Sequence, residues 1–254
     1  MMVSKRDGSK EPVSLDKITN RVSVLATGLT IDPIVVAQKA IPGLYNGITT
    51  TEIDNYLAET SAALTVEHPD YSNLAARIKA NSLHKITPGF IIASKLLYED
   101  GLLNDKYYQK IINNAETIES IIDYDLDYNF DYFALTTLTR AYLLKYEGKV
   151  IERPQDLWMR VALTVAEEEF NYEKIKYTYS ALSKGYYTHA TPTSVGLRLL
   201  EWRTTSDTQP RLCRFLRSLS DCDRIYECTC RNARNACRRY PVGSEGSGYS
   251  TCKA

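Results

Sequence analysis

The chain has 254 residues, 31 basic against 31 acidic side chains, and a formal net charge of zero. A neutral chain exerts no global pull on nucleic acid or an anionic membrane surface, and no apolar run nears the roughly 18 residues of a membrane span. Its length allows one or two domains with a proper core, and the N-terminus lacks the charged-then-apolar pattern of a secretory leader. The expectation is a cytoplasmic protein with neither nucleic acid nor membrane as a partner.

Residues 3–17, V-S-K-R-D-G-S-K-E-P-V-S-L-D-K, contain a basic pair (Lys5, Arg6), a turn pair (Asp7, Gly8) and a helix start at Ser14. Asp-Gly between short extended runs signals a hairpin, because glycine adopts the positive φ such turns need. Ser14 is placed to cap a helix whose apolar positions Leu15, Ile18, Val22 and Leu25 recur at 3/4 spacing. Lys5, Arg6 and Lys17 then meet near a helix N-terminus, where free backbone N–H groups and cations make a seat for polyphosphate. A solvated basic hairpin ahead of a core helix has the same signature, and this stretch by itself leaves both readings open.

Further on, Asp32 followed by Pro33 starts a second helix. It is expected to run to about Tyr45, ended by Asn46-Gly47; an interior Pro42, costing on the order of 3 kcal/mol, is expected to kink or shorten it. Thr49 and Glu52 form a capping box for a helix with Ile53, Tyr56, Leu57 and Leu64 on one face. After the break at His68-Pro69-Asp70, residues 71–85 predict a fourth helix around Leu74, Ala75 and Ile78. Pro88-Gly89 marks a boundary, and helices follow over 90–98 and 105–113, separated by the Glu99-Asp100-Gly101 turn. The acidic, tyrosine-rich run 123–131 lacks the carboxylate spacing of a cation cage and is expected to be a solvated loop. Helical patterns resume over 131–145. Pro154 opens another helix with Leu157, Val161 and Val165 inward, and a last one spans about 173–184.

The opening stretch resembles the start of an ATP-cone, the nucleotide-binding domain at the N-terminus of many ribonucleotide reductase large subunits. The resemblance continues through G-L-Y-N-G-I-T-T-T-E-I-D (43–54), H-P-D-Y-S-N-L-A-A-R-I (68–78) and L-H-K (83–85). It then follows the reductase's own helical segment through D-Y-F-A-L-T-T-L-T-R-A-Y-L-L-K (131–145), E-R-P-Q (152–155), M-R-V-A (159–162) and T-H-A-T-P-T (188–193). It points to the eukaryotic-type class I enzyme. It implies a mainly α protein: an ATP-cone over residues 1–90, with a short β-hairpin over a four-helix bundle; a helical reductase N-terminal domain over 91–193; and, over 194–254, a fragmentary start of the α/β barrel.

For the cone the resemblance implies ATP and dATP as allosteric effectors held by Lys5, Arg6, Glu11, Pro12, Val13, Ser14, Leu15, Asp16, Lys17, Thr50, Asp54 and Lys85. The chemistry agrees, since the lysines and Arg6 neutralise phosphate and Asp54 is able to accept from ribose or base. Thr50 and Asp54 also stand in a first helical turn, where caps and acids belong anyway. Thr191 corresponds to a position that touches the substrate nucleotide. In Q-P-R-L-C-R-F-L-R (209–217), Cys213 stands as the candidate reactive cysteine, and Asp221 with Cys222 where the family contacts its specificity effector. Arg214 and Arg217 would charge a strand that ought to be buried, at a prohibitive cost if unpaired. His189 has no recognisable carboxylate partner and reads as a packed histidine.

Composition changes near Thr193. Residues 1–193 hold six Arg, fourteen Lys and no cysteine, whereas 194–254 hold ten Arg, one Lys and all six cysteines. The last segment therefore reads as degenerate or frameshifted, an idea that resequencing the transcript across Thr193 would sink if the frame held. Cys228-Thr229-Cys230 lacks zinc-knuckle spacing, so no metal is expected. The chain is expected to be the regulatory end of a reductase large subunit, not catalytic as it stands because the thiyl loop and redox partners lie beyond it. The family also implies the reductase small subunit as partner and homo-oligomers formed through the cone. A stand-alone ATP/dATP-binding module that joins reductase oligomers is the alternative. A nucleotide-sensing repressor fits less well, since its cysteines should precede the cone.

Overall fold

The computed structural model describes residues 1–166 and 170–188. It opens with the expected hairpin, β1 (Met2–Ser4) antiparallel to β2 (Lys10–Pro12), with Val3 opposite Glu11. Gly8 takes φ +83° in the turn, and the Asp7 carboxylate accepts from the Ser9 amide and hydroxyl at 2.9 and 2.6 Å. The other edge of β1 is also tied down. Ser4 N–H donates to Ile48 O and Gly47 N–H to Met2 O, at 2.9 and 2.8 Å. That second attachment fixes the hairpin beside the start of the third helix.

Four helices follow: α1 (Leu15–Leu25), α2 (Pro33–Ala40), α3 (Thr50–Ala63) and α4 (Asp70–Ile86). Their starts follow the local chemistry. Ser14 accepts from Lys17 N–H, Asp32 from Ile34 N–H ahead of Pro33, and Thr49 and Glu52 satisfy each other's backbone in a complete capping box. The second helix ends at Ala40 rather than near Tyr45. Pro42 has no N–H to continue the ladder, and Ile41–Gly43 tightens into a 3₁₀ turn. Val3, Val22, Val36, Ile53, Leu57, Leu74 and Ile78 are buried together beneath the hairpin.

The helical part holds α5 (Phe90–Glu99), α6 (Asp105–Ile112), α7 (Ala115–Ile121), α8 (Tyr132–Thr137), α9 (Pro154–Val165) and α10 (Tyr172–Ser183). Leu157, Met159, Leu163, Ile175 and Leu182 centre a second core, which also takes in Leu83 from α4. Three local expectations give way here. Residues 115–121 form an unforeseen short helix. The 131–145 pattern splits into α8, a π turn over Leu138–Tyr142, and then β3 (Lys145–Tyr146) hairpinned to β4 (Lys149–Val150). Glu147 and Gly148 both take positive φ, 49° and 76°, the signature of a tight two-residue hairpin turn that no helix accommodates. Finally, 123–131 is not simply a solvated loop: Tyr124–Asn129 winds into a 3₁₀ turn with Asp127 fully buried.

Candidate functional site

The hairpin, α1 and α3 frame an open cleft of about 120 Å³. Val3, Val13, Ile18, Ile53 and Leu57 give it an apolar floor, while Glu11, Ser14, Lys17, Arg21 and Thr50 supply polar edges. The floor is apolar side-chain surface, and Lys17 and Arg21 make the rim cationic.

Two carboxylates organise that rim. Glu11 bridges Lys5 Nζ at 2.8 Å and Lys17 Nζ at 3.2 Å. The hydrogen bond from Lys5, then that from Lys17, holds the Glu11 carboxyl below its usual range, and Glu11 in turn raises Lys5. Deeper in, Asp54 is buried and both of its oxygens are taken. Arg6 Nη2 donates to Oδ2 at 2.8 Å, and Arg21 Nη1 donates to Oδ1. The same guanidinium groups reach α4: Arg6 donates to Ser82 Oγ at 3.2 Å and Arg21 to Asn81 Oδ1 at 2.9 Å. Among the described residues Lys85, one turn further along α4, forms no hydrogen bond or ion pair. Partial desolvation, followed by the nearby Arg21 charge, pulls its pKa below the ordinary lysine value. Five cations (Lys5, Arg6, Lys17, Arg21, Lys85) thus face two carboxylates, leaving a local excess of positive charge in a chain that is neutral overall.

Most of the residues expected at a nucleotide site converge here. Glu11, Pro12, Val13, Ser14, Lys17 and Thr50 line the cleft, and Lys5, Arg6, Asp54 and Lys85 form its charged surround. Leu15 and Asp16 do not line it; Leu15 is exposed on the first turn of α1. Asp54, expected to accept from a ligand, is buried between the Arg6 and Arg21 guanidinium groups. Arg21, Asn81 and Ser82 were not anticipated. Arg21 was within reach of sequence reasoning, because it lies four residues after Lys17 and therefore on the same helical face. Thr191, Cys213, Asp221 and Cys222 lie outside the described residues.

Comparison with known proteins matches these parts to two families. Residues 1–86 match the ATP cone domain, and residues 128–199 match the ribonucleotide reductase all-alpha domain. The chain is 44% identical over 206 residues to ribonucleoside-diphosphate reductase large chain 2 of Saccharomyces cerevisiae, covering 76% of this chain and 24% of that one. Over that span the chain belongs to the ribonucleoside-diphosphate reductase large-subunit family. The large subunit of Dictyostelium discoideum is 43% identical over 209 residues, with 76% and 24% covered, and that of Arabidopsis thaliana 42% over 206 residues, with 76% and 25% covered. The chain spans about a quarter of the length of these relatives. Against the reductase family the site acquires a place: the cleft lies wholly within the ATP-cone match, while α8, α9 and α10 fall in the all-alpha match. No helix among the described residues is long and apolar enough to cross a membrane.

Proposed function

We propose that residues 1–86 bind ATP or dATP as an allosteric effector, and that this chain carries the regulatory end of a ribonucleoside-diphosphate reductase large subunit. The observation that supports the reading most directly is the rim of the cleft. Lys5 and Lys17 converge on one carboxylate and Arg6 and Arg21 on another, so a triphosphate entering the cleft meets cations already gathered in one place. The base takes the apolar floor under the hairpin, and phosphates take the lysines and the α1 N-terminus, where backbone N–H groups and the helix dipole favour anions. Glu11 and Asp54 keep the empty site from repelling itself and share their cations with the phosphates when the nucleotide enters.

The other readings proposed for the chain rest on the sequence and the family resemblance. They are a cytoplasmic location, association with the reductase small subunit, oligomers formed through the cone, a boundary near residue 90, and contact between Thr191 and a substrate nucleotide. Cys213, Asp221 and Cys222 would belong to the barrel in that scheme.

Isothermal titration of the full chain with ATP and with dATP tests the site. Binding should be saturable, and Lys17→Gln and Arg21→Gln should each weaken it by roughly tenfold, the equivalent of about 1.4 kcal/mol. The effect should shrink as salt is raised, because exposed charges are screened. Absence of heat with both nucleotides, in a chain that remains folded by circular dichroism, would remove the reading.

A further inference from the structure

The last turns of α4 face two ways. On one side Asn81 and Ser82 accept from the Arg21 and Arg6 guanidinium groups of the cleft. On the other, His84 Nε2 meets Asp127 Oδ2 at 2.7 Å, and its ring lies edge-on to Tyr124 and Tyr128. Arg153, just ahead of α9, closes the end of the same helix. Its Nε donates to Thr87 Oγ1 at 2.8 Å, and its Nη2 donates to Thr87 O and His84 O at 3.1 and 3.3 Å. The guanidinium also stacks on the Tyr124 ring, 4.5 Å from its centre. One short stretch of helix therefore touches the cleft and the helical part at once.

From Arg153 the network continues along the first turn of α9. Gln155 follows Arg153 by two residues and is fully buried. Its Oε1 accepts from Tyr179 Oη at 2.9 Å and from Ser183 Oγ at 2.7 Å, both on α10, while Tyr179 Oη accepts from Asp123 N–H at 2.9 Å. At the other end of the same amide, Gln155 faces Asp127. Yet Gln155 Nε2 and Asp127 Oδ1, a donor and an acceptor buried side by side, each fall short of a full hydrogen bond among the described residues. Buried polar groups are strongly driven to pair. Gln155 and Asp127 thus stand against each other between the end of α4 and α10, where a shift of either is felt by the other.

We infer that the end of α4 is the output of the effector site: nucleotide phosphates that draw Arg6 and Arg21 away from Ser82 and Asn81 move His84 and Thr87 against Asp127 and Arg153, and Gln155 passes the shift to α10. This rests on the effector-site reading above. It goes beyond that reading by assigning a route and a receiving element. α4 is packed along its length, through Tyr71, Leu74, Ala75 and Ile78 and again through Ala80 and Leu83, so a change of partners at 81–82 is carried by the same turn of helix to His84 and Thr87.

Amide hydrogen exchange on the full chain, with calorimetry run in parallel, tests it. Saturating ATP should change exchange within α10 by about fivefold or more, the lower end of typical coupling between sites. Asp54→Asn, which loosens both guanidinium groups, should alter α10 exchange without any nucleotide. In His84→Ala with Thr87→Val, ATP should still bind while α10 stops responding; His84→Gln, which keeps a donor toward Asp127, should retain the response. If the double variant loses protection throughout α9, Gln155→Met carries the same expectation through the links to α10 alone. Calorimetric binding with no change in α10 of the wild-type chain would overturn the route while leaving the effector site standing. A response that survives in the double variant would overturn it equally, and failure to bind either nucleotide would overturn both readings together.

Discussion

Asp156 shows how a single buried carboxyl ties structure to pH. It is fully buried, accepts from Arg153 N–H and Tyr124 Oη at 2.8 Å each, and burial pushes its pKa up to about 7 from an ordinary 3.8. An acid whose folded pKa lies above its unfolded one favours the fold when protonated. Its contribution is therefore complete below about pH 4 and is lost as pH rises through about 7. At about 1.4 kcal/mol per unit this amounts to at most about 4 kcal/mol. Thermal melts of the wild-type chain should drop by several degrees between pH 6 and 8, and Asp156→Asn should flatten that slope. An unchanged slope in the variant would show that another group sets it.

The same scale shows where sequence reasoning reached its limit. Lys5, Arg6 and Lys17 could be placed together because the hairpin and the Ser14 cap that position them are local signals, whereas Thr50 came from the family resemblance. The pairing of Asp54 with Arg6 and Arg21 could not, because its partners lie 48 and 33 residues away. Asp127 was misjudged for a related reason. An acidic, tyrosine-rich run looks solvated until His84, 43 residues earlier, is found covering it.

At the scale of elements, helix starts were legible and helix ends less so. Ser14, Asp32, Thr49 with Glu52, and Pro154 each announce a start through one or two side chains. The split of 131–145 depends instead on a turn at Glu147-Gly148 that competes with an otherwise helical pattern. The turn after α2 has a packing reason that no pattern carries. A methyl group on Gly43 would lie 2.3–2.4 Å from the Tyr56 ring of α3. Gly43→Ala should therefore destabilise the cone by about 1–3 kcal/mol, the usual cost of overpacking. Tyr56→Leu should relieve most of it, so urea midpoints of the two single variants and the double variant should show strong coupling. Additive effects would mean that the ring moves aside freely.

For the molecule as a whole, the question is whether the ATP-cone and the helical part unfold as one. They share structure rather than merely touching. Leu83 of α4 belongs to the second core, Tyr132 of α8 packs against the first, and Lys79 of α4 donates to Thr136 Oγ1 at 3.0 Å. Arg153 holds the C-terminal carbonyls of α4 from the far side. A helix rooted in both cores should transmit a defect in one to the other. Leu83→Ala removes a side chain only 4% exposed and should cost about 2–5 kcal/mol. If the two parts form one cooperative unit, amide protection should fall together in α3, which lies in the first core, and in α9, which lies in the second. If they unfold separately, α9 alone should lose protection while α3 keeps the wild-type value. Native-state hydrogen exchange resolves the two helices within one sample. The joint loss is the expected result, because the packing around α4 leaves no face along which the two parts could separate without exposing Leu83 or breaking the Arg153 contacts.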